Sequence, residues 1–232
     1  RKAHKELPVQ NVVSWNALIS GYTQQGQGHE ALNCYEEMQS EGFTPHYVTY
    51  TCILNACGKV RAIDTGKQIH NEIVSRGLVD KDIVLGNALV DMYAKCGLLC
   101  EAQTVLQGLS SRDTISWSAL ITGYAQEGQG HEALNCFEGM QTEGLSPNAI
   151  TFICLLKACG SIGALGKGKQ IHAEIKKKGL LLKKDVALGT ALVDMYAKCG
   201  ALAQAQQVLE ELPIRNTLSW SALIAGYAQQ GQ

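Results

Sequence analysis

A chain of 232 residues, 46% of them apolar, has enough hydrophobic material for a continuous core. No apolar run approaches the ~20 residues of a membrane span, which excludes a helical span from the reading. Twenty Lys and Arg stand against 21 Asp and Glu, a net charge of −1, which argues against a protein that holds polyanions by bulk charge.

Taken in order, residues 1–11 align with Gln206–Asn216, so they are the tail of a unit whose start is missing; the chain is expected to be a piece of a longer one. The stretch VVSWNALISGY at 12–22 returns as TISWSALITGY at 114–124 and TLSWSALIAGY at 217–227. Trp15, Trp117 and Trp220 mark the copies, 102 and then 103 residues apart. Self-similarity at a fixed period is the signature of a stacked repeat. Within 12–46, Trp15, Leu18, Ile19 and Tyr22 fall on one face of a first helix. GQG at 26–28 breaks the chain, a second helix presents Ala31, Tyr35 and Met38, and Gly42 and Pro45 end it.

The plan repeats over 47–82, with Ile69 and Ile73 on the second helix, and over a shorter 83–113, with Ala102, Val105, Leu106 and Leu109. It restarts over 114–148, 149–185 and 186–216 and ends in a half-unit at 217–232. No strand-type alternation persists, which predicts an all-α solenoid of helix-turn-helix units forming a single array. Nine cysteines show no C-x-x-C spacing, and eight of them recur in pairs at the repeat offset. That pattern reads as small buried apolar residues in a reducing compartment.

Several motifs resemble chemistry without completing it. His70-Asn71-Glu72 and His172-Ala173-Glu174 spell H-x-E, half of a zinc-deaminase signature whose P-C-x-x-C half is absent from the chain. GQGHEA at 26–31 and 128–133 imitates a dinucleotide fingerprint but lacks a preceding strand, and its glycines are read as turn-formers. GKGK at 166–169 lacks P-loop spacing. No catalytic constellation, metal set or cofactor motif emerges, so the reading is not an enzyme.

Two polar rows remain. Asn16, Thr51, Asn87, Ser118, Thr190 and Ser221 occupy the fifth place of successive units, facing away from the apolar stripe; Ile153 interrupts the row. Asn11, Asp82, Asp113, Asn148, Asp185 and Asn216 close the units, with His46 as the exception. Helix capping explains the second row, at ~1 kcal/mol per cap. It leaves the first row unexplained, because small polar residues are indifferent helix formers.

VSWNALISGYTQQGQGHEALNCYEEMQSEGFTP and its copies resemble the pentatricopeptide repeat family over essentially the whole chain. The tetratricopeptide pattern fits less well, since Ile19 stands where it wants glycine. Unit lengths of 35, 36 and 31, then 35, 37 and 31, resemble the PLS subclass of plant organellar RNA-editing factors. On that pattern 12–46 and 114–148 are P units, 47–82 and 149–185 L units, and 83–113 and 186–216 S units; 217–232 is a partial P unit and 1–11 the tail of an S unit.

The resemblance implies a right-handed superhelical solenoid that binds single-stranded RNA, one base per unit, and directs C-to-U editing in mitochondrion or chloroplast. Fifth and last residues would read the base: Asn16 with His46, Thr51 with Asp82, Asn87 with Asp113, Ser118 with Asn148, Ile153 with Asp185, Thr190 with Asn216, and Ser221 without a partner. Val13, Val48, Val84, Ile115, Ile150, Ala187 and Leu218 would sandwich bases, and Lys59, Lys95 and Lys198 would hold phosphates. Gln24, Gln126 and Ser161 depart from that lysine. The family's code spells Y-G-U-A-N-A. Accessory editing factors could dock on the L units; no cofactor, metal, membrane or small-molecule substrate is implied. The competing reading is a solenoid that grips an extended peptide, which the near-neutral charge favours and the polar rows do not.

Overall fold

The structure, a computed structural model, describes residues 11–79, 82–180 and 186–231. These residues form thirteen α-helices and no strand. They are α1 (Val12–Gln24), α2 (Gly28–Ser40), α3 (Tyr47–Val60), α4 (Ile63–Ser75), α5 (Ile83–Lys95), α6 (Leu99–Gly108) and α7 (Thr114–Gln126), then α8 (Gly130–Thr142), α9 (Ala149–Ser161), α10 (Leu165–Lys177), α11 (Val186–Lys198), α12 (Leu202–Glu211) and α13 (Thr217–Gln229). The chain divides into two compact units, residues 1–120 and 121–232, with the division inside α7.

In the first unit α1 packs on its own partner α2 and on α3, and α3 packs in turn on α5. First helices thus stack on first helices, while α2 and α4 lie against α3, and α6 against α5. The second unit repeats the scheme with α9, α11 and α13, supported by α8, α10 and α12. The apolar stripes meet between these layers: Trp15, Ile19, Ile53, Leu54, Leu85 and Leu89 are almost wholly buried in the first unit. Phe152, Leu155, Leu156, Leu188 and Leu192 are their counterparts in the second. The second-helix faces expected from spacing, Ala31–Tyr35–Met38 and Ile69–Ile73, are buried too.

The GQG break serves two purposes rather than one. Gly26 has φ of +77°, the left-handed backbone that a turn after α1 requires. Gly28 is already helical, and a Cβ there would run into the Val60 side chain and come within 3.3 Å of the Ala56 carbonyl. Its smallness lets α2 approach α3. Gly168, within the GKGK of α10, likewise faces Met195 of α11, so a close helix contact accounts for that glycine.

Candidate functional site

The second residue of each first helix is apolar yet open to solvent. Val13 is 72% exposed, Val48 37%, Val84 55%, Ile115 62%, Ile150 65% and Leu218 68%, and Ala187 is exposed as well. A single exposed valine needs no explanation, but the same exposure at one register position in every unit marks a surface meant to be covered.

The fifth residues sit just inside that ladder. Asn16, Asn87 and Ser118 are buried, Thr51, Ile153 and Thr190 half-buried, and Ser221 exposed. The expectation that Asn16 faces away from the apolar stripe therefore needs refinement, because its amide is buried against the start of α3. Thr49 Oγ1 donates to Asn16 Oδ1 at 2.7 Å, and Asn16 Nδ2 lies 3.5 Å from His46 Nε2.

Fifth and last residues are joined directly at three units. Besides Asn16 and His46, Asn87 Nδ2 donates to both carboxylate oxygens of Asp113, at 3.2 and 3.1 Å. Thr190 Oγ1 reaches Asn216 Oδ1 at 3.4 Å while also bonding the Val186 carbonyl at 2.8 Å. A carboxylate can only accept, so Asp113 orients the Asn87 amide, and Asn87 Oδ1 is left buried without a hydrogen-bond partner. Thr51 Oγ1 donates to the Tyr47 carbonyl, and Asp82 accepts from the Val84 amide at 2.8 Å. Ser118 donates to the Thr114 carbonyl. Asp185 lies outside the described residues.

Capping and pairing coexist. Asn11, Asn148 and Asn216 accept from the backbone amides of Ser14, Thr151 and Ser219 at 2.8–2.9 Å. Asp113 caps Ile115 and Ser116 with the same Oδ1 that Asn87 meets. The last residue of a unit is therefore anchored by the helix that follows it, which holds its side chain rigid toward the fifth.

In the second unit these positions share one groove of about 630 Å³, within the range of ligand pockets. Ile153, Thr190, Ser221, Asn216, Ala187 and Leu218 line it, together with Lys157 and Asp194. In the first unit Gln24, Lys59 and Lys95, the thirteenth residues of successive units, line a second depression with Ser20, Thr23, Cys52 and Asn55. Burial raises the Cys52 thiol's pKa, with the Ser20 hydroxyl opposing the shift.

The lysines are already engaged. Lys95 pairs with Asp91 at 2.5 Å and Lys198 with Asp194 at 2.8 Å, one helical turn apart, while Lys59 Nζ donates to the Thr23 carbonyl at 2.6 Å. The D-x-x-x-K spacing of DMYAK in both copies produces these pairs, since residues four apart on a helix are neighbours. Sequence reading misses Thr49, the third residue of its unit, whose bond to Asn16 spans 33 residues and leaves no local pattern.

The H-x-E histidines belong to helix packing. His70 Nδ1 shares a 2.9 Å hydrogen bond with Tyr93 Oη, and His172 Nδ1 an equal one with Tyr196 Oη. Burial lowers both histidine pKa values, and Lys176 adds to the effect at His172.

Comparison with known proteins gives consistent matches. A family model described as PPR repeat family matches residues 10–59 and 112–161, and one described as PPR repeat matches 48–78; together they span just over half the chain. A mitochondrial pentatricopeptide repeat-containing protein of Arabidopsis thaliana is 39% identical over all of this chain and 36% of its own length. A chloroplastic one from the same plant is 38% identical over 99% of this chain and 37% of its own. The chain thus spans about a third of the length of the curated relatives it matches. The crystal structure of the pentatricopeptide repeat protein PPR10 in complex with an 18-nt PSAJ RNA element aligns with a TM-score of 0.76, covering 99% of this chain and 34% of that one at 22% identity. PPR10 from maize aligns at 0.66, covering 94% of this chain and 32% of that one at 24% identity. At such identities the likeness establishes the fold.

Proposed function

Because the chain belongs to the pentatricopeptide repeat family, we propose that it binds single-stranded RNA sequence-specifically, one base per unit. In this reading it is a PLS-type targeting segment that brings a C-to-U editing activity to one site of a mitochondrial or chloroplast transcript. The observation that carries the reading is the hydrogen-bonded contact between fifth and last residues beside a ladder of exposed aliphatics. The aliphatic side chains offer flat apolar contact to base faces, and the paired polar groups offer directional contact to a base edge. Relatives named for mitochondria and chloroplasts, and an RNA-bound PPR10 among the structural neighbours, support the reading.

The assigned readers spell Y-G-U-A-N-A from Asn16–His46 through Thr190–Asn216, with the U of Asn87–Asp113 and the A of Ser118–Asn148 adjacent. Asp91 and Asp194 beside the phosphate-directed lysines favour the second reading, a groove for an extended peptide. Selection from a random single-stranded RNA pool decides between them. Enrichment of sequences carrying U-A supports RNA recognition, whereas a pool that fails to enrich supports the peptide groove.

A further inference from the structure

The unit at 12–46 carries a reading pair unlike the others, and its surroundings explain how it is held. Elsewhere a carboxylate can fix the partner amide, as Asp113 fixes Asn87. A neutral histidine ring offers one donor and one acceptor, so His46 alone leaves the direction of the Asn16 amide open. Thr49 supplies a second contact. Its oxygen accepts from the His46 backbone N–H at 3.3 Å and lies 3.5 Å from the ring Nδ1. Its hydroxyl donates to Asn16 Oδ1, 2.7 Å away, and the amide nitrogen then lies 3.5 Å from His46 Nε2.

From this we propose that the unit reads its base with a triad, Asn16, His46 and Thr49, in which Thr49 is a specificity-determining residue contributed by the following unit. The inference rests on the RNA-binding reading above. Asn87 keeps its carbonyl oxygen unpartnered, while the Asn16 oxygen is satisfied by a fully buried hydroxyl, so the two asparagines present different edges to a base. Third-position hydroxyls elsewhere turn to the last residue: Ser116 to Asp113, Thr151 to Asn148 and Ser219 to Asn216.

The test compares RNA pools selected by the wild type, Thr49→Val and Thr49→Ser. Thr49→Val should alter the preference at the base aligned with Asn16 by about fivefold or more, the low end of one base-edge contact. Uracil at Asn87 should be unaffected, and Thr49→Ser should restore the wild-type choice. Melting curves exclude pools from unfolded protein, in which case the comparison rests on Thr49→Ala. An unchanged base preference in Thr49→Val, with the Asn87 uracil retained, overturns the triad. If none of the proteins binds RNA, the RNA reading falls and the triad's base-reading role falls with it.

Discussion

Arg61 is the one described non-glycine residue with a positive φ, +54°, immediately after α3. At the same repeat position in the second copy stands Gly163, with φ of +67°. A left-handed backbone costs a side chain about 1–2 kcal/mol, partly offset by the extra freedom glycine brings to the unfolded chain. Arg61→Gly should therefore stabilise the protein by about 0.5–1 kcal/mol, read as a raised melting temperature. A lowered one would mean that the Arg61 side chain contributes more than its backbone costs. Burial likewise defines Cys57, Cys136 and Cys159, whose thiols are pushed up to about 12, which suits the packing role inferred from their recurrence; Cys100, which has no repeat counterpart, is exposed.

Among elements, the helix pairs were legible because each apolar stripe is written within a dozen residues. Trp15, Ile19 and the Ala31–Tyr35–Met38 face needed only a period of 3.6 to be found. Contacts between elements were not. Gly28 reads as half of a turn, yet Val60 is what requires it, and Thr49 reads as an ordinary helix residue until α1 is packed beside it. The candidate readers were located by register, whereas their mutual orientation, set by Asp113, Asn216 and Thr49, depends on the next helix.

The helix contacts of His70 and His172 carry a pH dependence of known sign. Both folded pKa values lie below the ordinary 6.5, so the unfolded chain binds more protons as pH falls through that value. Their contribution to stability is present above about pH 6.5 and lost on acidification. Melting at about pH 7.5 and 5.5 should show a drop at the lower pH that shrinks in the His70→Gln, His172→Gln double variant; an equal drop would assign the effect elsewhere. On α5, the Asp91–Lys95 pair is exposed and of small intrinsic worth. Asp91→Asn should release Lys95 for phosphate and tighten RNA binding about threefold at low salt, with the gain vanishing as salt screens it. Weaker binding in that variant would show that Asp91 orients the lysine.

At the scale of the whole molecule, the proposed RNA reading, with a net charge of −1 and three assigned phosphate lysines, puts the burden of recognition on the base edges. Affinity should respond weakly to salt, with a log–log slope of about −2 for three phosphate contacts, and strongly to sequence. The array character means that each unit can be tested in place, since a change of reader leaves the stacking stripes intact. Asn87 with Asp113 is the place to do it, because their bidentate contact is the best-defined pair in the structure. Base preference should be measured with the wild type and Asn87→Thr on RNAs varied at that one position. The account predicts that uracil gives way to guanine there, by about 1–3 kcal/mol, with neighbouring preferences unchanged. An Asn87→Thr protein that binds as tightly as the wild type and still prefers uracil would contradict it, leaving the polar rows as caps and scaffold.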